Sequence, residues 1–166
     1  MRPSRRHRTG GFTLIELISV LVIMGVMAGL SAVRFFDRSA FDNSAFQSQT
    51  IEFLRFAQKA AIAQHAFVCV TFASQSITLT IGATNTCGSA LANPAGGASA
   101  TLSPGGGNAA AFSPTPTNFS FDCMGVPRSA GTGLCGDTAG VLSVTQTVQV
   151  ANAAAITVEP QTGYVH

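Results

Sequence analysis

The chain has 166 residues, room for one domain and one long hydrophobic helix. Its formal net charge is +2, only 10% of its residues are charged, and Ala, Gly, Ser and Thr are abundant. Such a surface suits a subunit packed among others better than a free soluble enzyme. The charge is also unevenly placed. Without Arg2, Arg5, Arg6 and Arg8, five cations face seven acids, a balance of −2. A sequence-independent DNA binder would keep a basic surface in that remainder, so nucleic acid is not an expected partner.

The apolar run from Phe12 to Val33 holds one charge, Glu16, and no Pro. At about 1.5 Å per residue it reaches across a hydrocarbon core of roughly 30 Å as a helix. The arginines before it stay on the cytoplasmic side, so the chain after Val33 is expected outside the inner membrane. A secretory signal peptide places its small-residue cleavage site after the apolar run. Here the small pair, Gly10-Gly11, comes before it. Cleavage there would remove the charges and keep the hydrophobic segment. A carboxylate one turn into such a helix costs on the order of 2.5–3.5 kcal/mol near the bilayer centre and less near its edge. Glu16 therefore predicts a cationic partner.

Gly11-Phe12-Thr13-Leu14-Ile15-Glu16-Leu17 resembles the class III signal of type IV pilins and pseudopilins. The resemblance implies cleavage between Gly11 and Phe12 by a prepilin peptidase, N-methylation of Phe12, and a special role for Glu16 in assembly, with the amine freed at Phe12 of a neighbouring subunit as its cationic partner. It further implies other pilin or pseudopilin subunits, an inner-membrane assembly platform and membrane lipid as partners.

Gly25 and Gly29 form a G-x-x-x-G spacing that would allow close helix approach. Many type IV pilins have Pro where this chain has Val33, so the usual kink is not expected there, although Gly29 could bend the helix. From Arg34 to His65 there is no Pro or Gly. Phe46, Thr50, Phe53, Leu54, Ala57, Ala60 and Ala61 recur at three- and four-residue steps and define one helix face. One helix is expected from about Phe12 to Gln64. Its first half, 12–33, is the transmembrane or filament-core part, and 34–65 is the amphipathic part, following a cleaved leader at 1–11.

The period changes at Phe67, where a β-rich domain, 66–166, begins. Phe67–Phe72 and Ser76–Ile81 read as a hairpin, with Ile77, Leu79 and Ile81 on the buried side. Residues 82–118 are Gly-, Ala-, Ser-, Pro-, Thr- and Asn-rich and read as a long loop with one short strand near Thr101. Phe119–Asp122 reads as a short strand. The run 141–150 alternates, with Leu142, Val144, Gln146, Val148 and Val150 on one face. With 155–159 and 164–166 it predicts a terminal antiparallel meander. Cys69, Cys87, Cys123 and Cys135 all lie in the compartment that permits disulfides. Four cysteines allow three pairings. The sequence-local choice, Cys69–Cys87 with Cys123–Cys135, is the expected one.

Gly131-Thr132-Gly133-Leu134-Cys135-Gly136 matches G-x-G-x-x-G, but Pro127 precedes it and a cysteine sits within it, so it reads as a loop. Asp122 and Asp137 could meet if Cys123 pairs with Cys135, yet two carboxylates are too few for Ca²⁺, and they read as solvated loop acids. The sequence offers no P-loop, G-x-S-x-G or H-E-x-x-H and no clustered His or Cys. No enzyme activity, cofactor or metal is expected.

One long helix, a hairpin, a long loop and a β meander resemble the GspH/FimT class of minor pilins and pseudopilins, an α+β fold with the helix docked on antiparallel β-sheet. Arg34-Phe35-Phe36-Asp37-Arg38-Ser39-Ala40-Phe41 and Leu54-Arg55-Phe56-Ala57-Gln58-Lys59-Ala60 are similar to a minor pilin of the mannose-sensitive haemagglutinin (MSHA) type pilus. The resemblance implies a minor pilus subunit first and a GspH-like secretion pseudopilin second. A DNA-uptake minor pilin of the FimT type ranks third, because such proteins carry Gly-Arg-x-Arg where this tail is Gly163-Tyr164-Val165-His166.

Overall fold

A computed structural model describes residues 12–32, 38–105, 110–131 and 133–166. The chain divides into one unit ending at Arg38 and another over Ser39–His166.

In the first unit, α1 spans Leu14–Ala32. It begins where Thr13 can cap it: the Glu16 and Leu17 N–H groups donate to the Thr13 carbonyl at 3.1 and 3.2 Å. The Glu16 N–H also reaches Thr13 Oγ1 at 3.4 Å, and Thr13-x-x-Glu16 has the spacing of a capping box.

The second helix, α2, spans Arg38–Gln64, all but its first residue in the second unit. It stops through a Schellman arrangement. His65 takes a left-handed φ of 47°. The Ala66 N–H donates to Ala61 at 3.2 Å and the His65 N–H to Ile62 at 3.3 Å. The expected join between the two helices falls at 33–37, outside the described residues.

The main sheet is antiparallel, ordered β3-β2-β1-β5-β6, with β4 also pairing β2. Its strands are β1 (Phe67–Ala73), β2 (Ser76–Gly82), β3 (Ser89–Ala90), β4 (Ala100–Leu102), β5 (Phe119–Phe121) and β6 (Pro127–Ser129). The hairpin turns tightly at Ser74–Gln75, since Ala73 already pairs Ser76. β7 (Gln146–Gln149) and β8 (Ala155–Val158) form a second, two-stranded sheet. The C-terminal residues pair with β8 through the reciprocal Thr157–His166 hydrogen bonds of 2.8 and 3.0 Å.

The helix face read from periodicity is the buried one: Phe46, Thr50, Phe53, Leu54, Ala57, Ala60 and Ala61 are all buried. It meets Val68, Val70 and Phe72 of β1, Ile77 and Leu79 of β2, and Phe119 and Phe121 of β5 in one core. The polar side of α2 holds the C-terminal segment. Arg55 donates to the Val165 carbonyl at 3.0 and 3.2 Å. Gln58 Nε2 donates to the Thr162 and Gly125 carbonyls at 2.8 and 3.2 Å. Gln47 donates to Ala154 at 3.0 Å.

The stretch 82–118 carries the expected short strand near Thr101, β4, and adds β3, and it buries Leu91, Ala100, Ala110 and Phe112. The Phe112 ring lies 5.2 Å from Phe46 and 5.5 Å from Phe72, an aromatic contact that offsets the entropy of ordering a polar loop. One expectation for the β domain needs correction: only the later half of 141–150 is strand. Val148 and Val150 are buried, whereas Val144 is 71% exposed. Leu142 instead donates its N–H to Pro127, beside the main sheet. Pro127–Ser129 forms β6, a strand that the sequence did not mark. Pro127 is tolerated because the strand lies at a sheet edge, where a missing N–H breaks no inner ladder.

Candidate functional site

The helix α1 is apolar on every side, and its only acid is Glu16 in the first turn. Phe12, Leu14 and Ile15 are 85%, 78% and 71% exposed, and Val22, Met24 and Met27 further along are exposed as well. A helix apolar all round is stable only in an apolar environment, lipid or other helices. Burying one such side chain contributes about 1.5–3 kcal/mol, so the segment as a whole strongly favours that environment. Among the described residues no helix is long and apolar enough to cross a membrane. The described α1 rises about 28 Å, just under a hydrocarbon core of roughly 30 Å.

Glu16 sits beside Phe12, Leu17, Val20 and Leu21, which with it line a shallow apolar recess. Phe12 lies two residues before the helix and four before Glu16. The Glu16 backbone is further tied by Ser19 Oγ, which donates to its carbonyl at 2.8 Å. An acid in this turn also lies at the positive end of the helix dipole. The arrangement is thus a carboxylate framed by apolar side chains at a helix start. Gly11 and the leader, and with them the expected cleavage site, lie outside the described residues.

Residues 6–32 match the family model for the prokaryotic N-terminal methylation motif. The motif supports a pilin or pseudopilin class, a class of structural subunits processed by a prepilin peptidase and assembled with one another. It ends with α1 and does not extend into the β domain. No curated protein and no solved structure matches the chain.

Beyond the methylation motif, the cysteines are joined Cys69 to Cys87 and Cys123 to Cys135, with Cα–Cα distances of 6.0 and 5.7 Å. Both separations lie in the ordinary disulfide range. Among the described residues no group of three or more His, Cys, Asp or Glu could hold a metal.

Asp122 and Asp137 are not a pair of solvated acids. They meet on Arg128. Arg128 is 1% exposed and Asp122 is fully buried. Arg128 Nε and Nη2 each reach Asp122 Oδ2 at 2.8 Å, and Nη1 reaches Asp137 Oδ1 at 2.7 Å. The guanidinium also donates to the Ala139 carbonyl at 2.6 Å and the Asp137 carbonyl at 2.5 Å. Asp122 Oδ1 accepts the Met124 and Val126 N–H groups, both at 2.9 Å. Every strong donor and acceptor of this buried pair is therefore used, as a buried pair requires. The Leu134 N–H, then the Arg128 guanidinium and the Ala139 N–H, hold the Asp137 carboxyl below its ordinary value.

Gly133 belongs to this knot. Its φ is +84°, and a Cβ there would strike the Ala139 carbonyl and sit 2.8 Å from Arg128 Nη1. The G-x-G-x-x-G spacing thus serves a loop closing over an arginine. Sequence reading missed the network, although one signal was available. Arg128 is the only Lys or Arg after Lys59, and the flanking acids are six residues before it and nine after it.

Proposed function

We propose that the chain is a minor pilin, a structural subunit of a type IV pilus of the MSHA kind. The single observation behind this is the methylation motif opening an all-round apolar helix whose one carboxylate lies a turn from Phe12. On this reading Gly11 is the last residue of a cleaved leader, and Phe12 becomes the methylated N-terminus. Residues 12–33 hold the subunit in the inner membrane, with the disulfide-bonded domain outside it, until the assembly platform moves it into the filament. Glu16 accepts the Phe12 amine of an adjacent subunit. Both charges then leave water as a pair, and removing one partner strands the other at a cost of about 3–5 kcal/mol.

The test is Glu16→Leu expressed in the native host. The variant should insert, be cleaved and form both disulfides, since it only deletes a charge from the apolar segment. It should disappear from pili sheared off the cells and from cross-links to other pilins. Wild-type amounts in sheared pili would overturn the role of Glu16. If the wild-type protein never enters surface fibres and its deletion blocks protein secretion instead, the chain is a GspH-like secretion pseudopilin. The absence of Arg in Gly163–His166 and the acidic balance after the leader weigh against DNA uptake.

A further inference from the structure

The two disulfides sit in different surroundings. Cys69 lies inside β1, paired with Thr80 on one side and Ser120 on the other. Its partner Cys87 is 9% exposed and backs onto β2, where a Cβ on Gly82 would lie 2.9 Å from the Cys87 Cα. Cys123 and Cys135 lie outside every strand. Cys135 is exposed and Cys123 half-buried, and their neighbours Met124 and Leu134 are 65% and 69% exposed. A thiolate in solution therefore has access to the second disulfide and is kept from Cys87, and access governs the rate of thiol–disulfide exchange.

The accessible disulfide anchors the segment 133–142. That segment runs along the outer edge of β6. The Ser129 N–H donates to the Gly140 carbonyl at 2.8 Å, the Leu142 N–H donates to the Pro127 carbonyl at 3.1 Å, and Arg128 bridges Val141 between them. The same segment closes over the Arg128 side chain. Asp137 Oδ1 lies 2.7 Å from Nη1, and Gly133 packs so close that a Cβ there would sit 2.8 Å from the same nitrogen. Arg128 is 1% exposed beneath this cover. Yet 133–142 gives no fully buried side chain to the hydrophobic core, and Leu142 packs only at its margin. A segment held by a cross-link, an ion pair and edge hydrogen bonds, with little apolar burial, belongs to the part of a fold that opens locally.

We propose that Cys123–Cys135 is a redox latch: its reduction by a dithiol releases 133–142 from β6, and its reoxidation closes the segment again. In the exchange, a thiolate of the dithiol attacks the Cys135 sulfur, and Cys123 leaves as the thiolate. The second thiol of the reagent then attacks its own mixed-disulfide sulfur and frees Cys135. Two electrons pass to the protein, both cysteines end as thiols, and the dithiol ends as its disulfide. The cysteines are 12 residues apart. On the chain-entropy account a cross-link of that span shifts the balance toward the closed form by roughly 100-fold, and reduction gives that factor up. Opening bares the Arg128 guanidinium together with the Ser129 N–H and the Pro127 carbonyl. An uncovered strand edge of this kind is a template for pairing with another strand. The latch is a property of the single chain and does not depend on the filament reading.

The experiment uses the full chain in detergent at neutral pH. Brief treatment with dithiothreitol, then iodoacetamide and peptide mapping, should label Cys123 and Cys135 and leave Cys69 joined to Cys87. Hydrogen exchange of that sample should be tenfold or more faster at the Ser129 and Leu142 amides and unchanged in β1 and β2. Trypsin should cut after Arg128 in the reduced form and not in the oxidised one, and reoxidation should restore resistance. Cys123→Ser with Cys135→Ser should be cut after Arg128 without any reductant. Equal labelling of all four cysteines would overturn the proposal. So would reduction of Cys123–Cys135 that leaves Arg128 resistant and the two amides protected. Loss of protection in β1 and β2 on reduction would overturn it as well, because the bond would then hold the whole domain rather than one segment.

Discussion

Replacing Arg128 by Met tests the least expected feature of the β domain. Met has a similar reach and no charge, so it fills the space while removing every donor. Asp122 then stays fully buried with only the Met124 and Val126 N–H groups on one oxygen, and Oδ2 loses both its bonds. Breaking a buried pair by removing one partner costs about 3–5 kcal/mol. The Asp137 and Ala139 carbonyls lose their donors as well, but they lie near solvent and recover part of that loss from water. The expected destabilisation is about 3–5 kcal/mol, measured by urea unfolding of the full chain with disulfides intact. Adding Asp122→Asn should restore part of it, since the neutral amide keeps the acceptor for both N–H groups and removes the stranded charge. Hydrogen exchange should localise the damage: amides of 134–141 should lose protection, and those of β7 and β8 should not. If Arg128→Met costs less than about 1 kcal/mol, or if Asp122→Asn makes it worse, the pair does not hold this loop.

Gly163→Ala should destabilise the domain by about 2–4 kcal/mol, because its left-handed backbone (φ +66°) resists a side chain and the new methyl would strike the Gly125 carbonyl and Gln58. Gly131→Ala has a similar φ of +79° but nothing within 4 Å, so the same unfolding assay should register only about 1–2 kcal/mol. Asp137 titrates lower when folded, so its contribution is present above its ordinary value of 3.8 and is lost as pH falls through the depressed folded value. Stability of the wild type should therefore fall more steeply below about pH 4 than that of Asp137→Asn, with the difference between them shrinking toward low pH. Gly11→Glu should leave the longer, basic precursor in the membrane fraction on a denaturing gel, and a band of mature size would misplace the cut.

The parts of this protein that were legible in sequence are those governed by short-range rules. The methylation motif and the lone Glu16 lie within a few residues of one another, so they can be read without any tertiary contact. The buried face of α2 follows from a 3.6-residue period, and the β1–β2 hairpin from a period of two with a tight turn. The interior of the β domain was decided by contacts between distant positions. Nothing local marks Phe112, in a Pro- and Ser-rich stretch, as a ring that packs against Phe46 and Phe72. Val144 continues an alternating pattern, yet the chain leaves the sheet there, because only the later residues meet β8 and the core. Asp122 and Asp137 read as solvated loop acids, and nothing local marks Arg128 as their partner. Pairing of β5 with β6 places Arg128 opposite Ser120, two residues from Asp122, while Leu142 hydrogen-bonded to Pro127 brings the chain after Asp137 back over the strand. Burial then follows from that meeting, since a charge leaves water only when tertiary structure supplies all of its partners at once.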